Sequence, residues 1–469
     1  MSDVKAYLQF LFEENKMPFD TGMLPLLEQF AADQHNAAAV TQILENQQML
    51  MAKWKLQTRI RDVQEQVVMI PNGTVGKPYE AVIDFAKLGW NDLAVVAFTR
   101  LEDIGLGYDA ESKTISGVPT QSGDIKFGMT FRIAEEAPDA ELHERQITLV
   151  INPDPKSLWK QLASDREAPF WKEDNIAVAD KLGDKNIVVA SKRGRSHANA
   201  GTFRDDDFAY KYFEETGWSV IAVSDGAGSA KLAREGSRLA CQTIIDYFAV
   251  HLSMESFTAF DDLIAAHHSG TGEETQKKLN HFLYNNLGKA ALSVYKKIEE
   301  TAALQQADIR DFHATLIFAL IRKYDFGYAV LTFGVGDCPM AILNKDLTTV
   351  TLMNKLDVGD YGGGTRFITM QEIFQSNQFG TRFGFQLVED FSYLMLMTDG
   401  IYDPKFAVEA NLEKIEKWQE LIADLQGGNE DEAVVDFTPG NPEVGNQLSA
   451  WMDFWSPGNH DDRTLAIVY

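Results

Sequence analysis

The stretch WSVIAVSDGAGS, Trp218 to Ser229, constrains this chain more than any other. Val220, Ile221, Ala222 and Val223 form an unbroken apolar run with Trp218 at its edge, the pattern of a buried strand. The run ends in Ser224-Asp225, and Gly226-Ala227-Gly228 then turn the chain with residues small enough for backbone to approach an ion or phosphate closely. A strand that delivers one carboxylate to a sharp bend is either a simple turn after a core strand or one wall of a cation site. The second reading requires more carboxylates in the same setting.

Four further places supply them. Asp205-Asp206-Asp207 follow Gly201-Thr202-Phe203-Arg204, Asp337 closes LTFGVGD, Asp399-Gly400 end FSYLMLMTDG, and Asp461-Asp462 precede RTLAIVY. Capping or turning accounts for each one alone. Gathered at one rim they would repel one another, an objection that a pair of divalent cations removes. Carboxylates without a His or Cys ligand set select hard octahedral ions, Mg2+ or Mn2+. The nine histidines and two cysteines form no ligand-spaced cluster of the kind zinc takes. Two hard ions about 3.5–4 Å apart activate water and clamp a phosphoryl oxygen. The expected chemistry is metal-assisted phosphate hydrolysis.

A chain of 469 residues is too long for one ordinary core, so two to four domains are expected. From Val4 to about Val68 the apolar spacing is helical, with one helix ending before Pro18. Leu44, Met49, Leu50, Met51, Trp54 and Leu56 form a rich apolar face, which packs within a small bundle or docks a partner. At Ile70-Pro71-Asn72-Gly73 the period changes to short alternating segments, among them 81–85, 94–98 and 146–151, the signature of a β-sandwich of about 80 residues. Asn152-Pro153-Asp154-Pro155 punctuates the chain. Beyond Leu158, strands separated by long helices and joined in places by hairpin-like turns indicate an α/β unit with largely antiparallel sheets.

The formal charge of −26, from 43 Lys and Arg against 69 Asp and Glu, argues against nucleic acid or an anionic membrane as a partner. No apolar run approaches the roughly 18 residues of a membrane span. The N-terminus lacks the basic region and small-residue cleavage site of a signal peptide. Cys241 and Cys338 lie in apolar stretches, as reduced core residues do. The chain reads as cytoplasmic.

Two resemblances follow. Gly105-Leu106-Gly107-Tyr108-Asp109 with Ile115-Ser116-Gly117-Val118-Pro119-Thr120-Gln121-Ser122-Gly123 is similar to the signature of bacterial immunoglobulin-like (Ig-like) domains, implying a spacer or a recognition module. The ordered series of acidic pair, VSDGAGS, Glu235-Gly236-Ser237, Ala314-Thr315, GVGDC, MTDGIYD and DDRTLAIV resembles the metal-dependent type 2C serine/threonine protein phosphatases of bacteria, over residues 165 to 469. The architecture implied is an N-terminal all-α segment (1–67), an Ig-like β-sandwich (68–153) and a C-terminal α/β phosphatase domain (158–469). That last domain would have an α-β-β-α sandwich of two mainly antiparallel sheets flanked by helices.

Carried over by residue, the resemblance implies that Asp225 bridges two Mn2+ or Mg2+ ions and that the Gly226 carbonyl completes one shell. Asp206, and Asp205 beside it, would hold the shells through water, Asp399 and Asp461 would take the second ion, and Asp337 with Asp399 would form a third-metal site. Two departures stand out. Ala227 occupies the position of a histidine proposed as general acid in eukaryotic members, and the phosphate-binding arginine falls on Gly201. That leaves His197, Arg195 and Arg204 as candidates to face the phosphate. The segment from Pro404 to Asn459 adds a helix (412–425), an acidic loop and Trp451, Phe454 and Trp455, either as a lid or as core padding. The expected function is hydrolysis of phosphoserine and phosphothreonine on proteins by water activated by two metal ions, within a serine/threonine kinase system. The alternative is a pseudophosphatase that binds phosphoproteins as a scaffold. The Ig-like and helical regions would be free to dock a protein partner.

Overall fold

The computed structural model describes residues 2–270, 272–357 and 364–469. The chain divides into two units, Met1–Leu158 and Trp159–Tyr469.

In the first unit, helices α1 (Ser2–Glu14), α2 (Leu24–Ala32) and the N-terminal part of α3 (Gln34–Glu65) share a small core of Leu8, Leu27, Ala31 and Val40. Strands β1 (Gly73–Thr74), β2 (Tyr79–Val82), β3 (Leu93–Thr99), β4 (Leu106–Asp109), β5 (Thr114–Gly117), β6 (Gly123–Ile133) and β7 (His143–Asn152) form a four-stranded sheet, β1-β7-β6-β3, and a three-stranded sheet, β2-β5-β4. Both sheets contribute to one core around Trp90, Ile115, Phe127, Phe131 and Leu149, which Val63 of α3 joins. Two expectations are corrected. The segment 81–85 is not one strand, because Asp84 caps a short helix α4 (Phe85–Leu88) by accepting from the Lys87 N–H. The apolar face of α3 does not pack in a bundle, since Met49, Leu50, Met51 and Trp54 are exposed. The apolar residues 49–51 are consecutive and so spread around the helix, while the two cores engage it only near Val40 and from Leu56 onward.

In the second unit, strands β8 (Asn175–Leu182), β9 (Lys185–Lys192), β10 (Asp207–Phe213), β11 (Trp218–Ser224), β12 (Leu316–Tyr324), β13 (Gly327–Val335), β14 (Met340–Asn344), β15 (Val350–Leu352), β16 (Phe383–Val388), β17 (Phe391–Met397) and β18 (Arg463–Val468) make two sheets. Their orders are β10-β11-β12-β13-β16 and β15-β14-β17-β18-β9-β8, with every adjacent pair antiparallel. Ile221 and Val223 of β11 face a core shared with Val189, Leu394 and Leu396 of the other sheet. The alternate residues, Val220 and Ala222, pack under the helices α6 (Ala233–His251), α7 (Glu255–Ser269) and α8 (Glu273–Leu304), which follow the short α5 (Arg195–Ala200). Both faces of β11 are therefore covered, which is why its apolar run has no polar alternation. The outer face of the second sheet is covered by α10 (Asp399–Phe406), α11 (Ile415–Leu425) and α12 (Val444–Trp451), the short α9 (Glu372–Gln375) preceding them. Trp451 and Phe454 belong to that core, so of the two readings of the 404–459 segment these aromatics fit padding. Among the described residues no helix is long and apolar enough to cross a membrane.

Candidate metal centre

Antiparallel order brings the acidic motifs to one rim. Asp207 at the start of β10 pairs with Ser224 at the end of β11, Leu316 pairs with Val335 before Asp337, and Met397 before Asp399 pairs with Leu465. Arg463, just after Asp461-Asp462, pairs with Lys192, just before the loop to α5. The end of each strand thus adjoins the start of its neighbour, and the carboxylates collect there.

Glycines let these loops lie against one another. A Cβ on Gly226 would meet the Asp205 carbonyl at 2.6 Å, and one on Gly400 would collide with the Asp462 carbonyl. The room that glycine provides is filled by neighbouring backbone.

Asp206 is 1% exposed. Its Oδ2 accepts from Thr398 Oγ1 and Thr464 Oγ1, each at 2.8 Å, and its Oδ1 has no partner. Asp337 accepts from Thr365 Oγ1 on Oδ2 at 2.6 Å, and its Oδ1 is also buried and unpaired. Asp399 Oδ1 is a third such oxygen. Side-chain ligand atoms of Asp225, Asp337 and Cys338 lie within 4.8 Å of one another. Desolvation, then the charges of Asp399, Asp206, Asp461 and Asp337, push the Asp225 carboxyl well above the usual range. Desolvation, then Asp461, Asp337 and Asp206, do the same to Asp399. Burial and Asp462 lift Asp205 and Asp206 to about 7. Orphaned carboxylate oxygens, two of them on Asp206 and Asp399, which resist ionisation for lack of a counter-charge, are what a hard divalent cation fits.

Asp462 behaves oppositely. Burial would raise it, but the His197 ring and the N–H groups of Gly194 and Asp205, all donating to it, hold it below the usual range. Burial would lower His197, and Asp462, helped by Asp205 and Asp461, outweighs it to reach about 9. His197 Nε2 is 3.9 Å from Asp205 Oδ2.

Of the residues expected at the site, Asp205, Asp206, Asp225, Gly226, Asp337, Asp399, Asp461 and His197 meet at this rim. The two arginines are largely engaged by protein acceptors, with Arg204 Nη2 left buried and unpaired. Arg204 is fully buried and donates to Ser191 Oγ and to the carbonyls of Asp206 and Glu173. Arg195 donates to the carbonyls of Asp453 and Phe454 and lies over the Trp455 ring. Three structural partners escaped the sequence reading. Thr398 and Thr464 sit beside the TDG and DDR motifs and were readable as hydroxyl donors, and Asp462 stood beside Asp461 with nothing in the sequence to divide their roles.

A sequence model described as protein phosphatase 2C matches residues 193–451, more than half of the chain. Among solved structures, a bacterial serine phosphatase is 14% identical over 60% of this chain and 96% of its own, with a TM-score of 0.36. The catalytic domain of the serine/threonine protein phosphatase PstP in complex with two manganese ions is 16% identical over 62% and 98%, TM-score 0.33. The serine/threonine phosphatase Stp1 from Staphylococcus aureus is 13% identical over 65% and 98%, TM-score 0.35. No curated relative matches.

Proposed function

This chain belongs to the protein phosphatase 2C family, and we propose that it removes phosphate from phosphoserine and phosphothreonine of proteins with two Mn2+ or Mg2+ ions held at the carboxylate rim. The observation that carries the reading is the set of buried, unpaired oxygens, Oδ1 of Asp206, Asp337 and Asp399, around an Asp225 whose charge four other aspartates oppose.

In this reading Asp225 would hold both ions and the Gly226 carbonyl would complete the coordination of one, Asp205 and Asp206 would support them through water, Asp399 and Asp461 would take the second ion, and Asp337 with Asp399 would offer a third position. When bound, such ions activate water as a nucleophile and neutralise charge on phosphoryl oxygens. The chain's own residues set the geometry. Thr398 and Thr464 fix Asp206 so that one oxygen stays free. Asp462 orients His197, and the ring holds a proton beside Asp205, where a leaving alkoxide would need one. Arg195 and Arg204, committed to carbonyls, hold loops in this reading.

We assign catalysis to residues 158–469, and a spacer or docking role, in an Ig-like region at 68–153 and a helical one at 1–67, to the rest. The substrate would come from a cytoplasmic serine/threonine kinase system. Arginines largely engaged by protein acceptors favour one rival, a scaffold that binds phosphoproteins without turnover. Purified protein with Mn2+ is expected to release phosphate from p-nitrophenyl phosphate and a phosphothreonine peptide. EDTA or Asp225→Ala should abolish that release. No release with Mn2+, or full activity in Asp225→Ala, would contradict the enzyme reading.

A further inference from the structure

Lys172 is a buried cation that the chemistry above does not use. Its side chain is 9% exposed, and Nζ donates to the Asp206 carbonyl at 2.7 Å, Asp207 Oδ2 at 2.8 Å, the Arg234 carbonyl at 3.2 Å and Ser237 Oγ at 3.3 Å. An ammonium has three N–H groups, so four acceptors leave none for a substrate phosphate. The Asp206 carbonyl also accepts from Arg204 Nη1 at 2.6 Å. Two cations therefore clamp the main chain of Asp206 while two threonines clamp Oδ2 of its side chain. Only Oδ1 is left unpaired. Ser237, which Lys172 also reaches, donates to the Asp205 carbonyl, so the same ammonium joins the acidic loop to the start of α6.

We infer that Lys172 is a positioning residue of the metal centre: it fixes the main chain of Asp206 and Asp207 against α6, so that Asp206 presents its free oxygen to the cation. The inference rests on the metal-dependent reading above.

The sign of one measurement separates this role from its competitors. Lys172 is a positive charge beside an acidic cluster, so if charge alone mattered its removal would tighten cation binding. If its role were only structural, removal would lower stability and leave the affinity of the folded protein unchanged. A positioning role predicts weaker binding, by about 10-fold or more, the range for residues that orient metal ligands.

The test is calorimetric titration of the full chain with Mn2+ alone, for wild type, Lys172→Met and the double variant Lys172→Met/Asp207→Asn. The double variant leaves no uncompensated Asp207 and guards against a single variant that fails to fold. Both are expected to lose about 10-fold or more in Mn2+ affinity. The Mn2+ concentration for half-maximal phosphate release should rise in parallel. Folded variants with wild-type or tighter Mn2+ binding would overturn the role of Lys172 and leave the metal centre intact. A wild-type chain that takes up no Mn2+ would overturn both.

Discussion

The ring nitrogen Nδ1 of His197 stands 3.0 Å from Oδ1 of the buried Asp462. Desolvation favours the neutral imidazole, and the hydrogen bond and charge of Asp462 override it, so the ring titrates near 9. Because this value lies above the unfolded value of about 6.5, the contribution of His197 protonation to stability is complete below about 6.5 and is lost as pH rises through about 9. In metal-free protein, the His197 ring proton resonances should titrate near 9. In Asp462→Asn they should return toward about 6.5. Identical titration in the two proteins would contradict the pairing.

Asp225 is opposed by the charges of Asp399, Asp206, Asp461 and Asp337. Neutralising it should relieve the metal-free protein while removing a ligand. Asp225→Asn is expected to melt higher than wild type in EDTA, by roughly 2–4 °C for about 1 kcal/mol. In Mn2+ the order should reverse, because only the wild type gains from binding. A lower Tm in EDTA would mean that the carboxylate is satisfied without metal.

A Cβ on Gly400 would collide with the carbonyl of Asp462, in backbone that has nowhere to retreat between α10 and β18. Gly400→Ala is expected to cost about 1–3 kcal/mol, the range for overpacking, with a lower denaturation midpoint and weakened Mn2+ binding. Wild-type values for both would place the loops farther apart than described.

Two tryptophans separate what apolar spacing can and cannot reveal. Trp451 is buried, with Nε1 donating to Asp424 Oδ1 at 2.6 Å, whereas Trp54 is 69% exposed on α3. Trp451→Ala should cost about 3–5 kcal/mol, and Trp54→Ser should stay within about 0.5 kcal/mol, both read by denaturant unfolding. Equal losses would show that α3 has a covering partner.

Spacing alone presented the two tryptophans alike, because burial depends on what else the chain brings near. The acidic motifs were more legible. Asp225, Asp337 and Asp399 each follow an apolar run, so their position at strand ends could be read residue by residue. Their meeting at one rim follows from antiparallel strand order, which local spacing does not encode. The order of the motifs supplied it through family resemblance. Arg204 and Lys172 were illegible as supports for Asp206, since the Asp206 acceptor they share is a main-chain carbonyl, which carries no mark in a sequence. Asp461 and Asp462 share one motif yet part company, the second turning inward to three N–H donors while the first stays exposed.

The most direct test of the two-metal centre is anomalous difference density in crystals of the full chain grown with Mn2+. Two peaks are expected at the rim, both within about 2.0–2.2 Å of Asp225 oxygens as hard cations of this size require. The unpaired oxygen of Asp399 should ligate one of them, and that of Asp206 should lie no farther than one bridging water away. Crystals saturated with Mn2+ that show no peak among Asp206, Asp225, Asp399 and Asp461 would contradict the account.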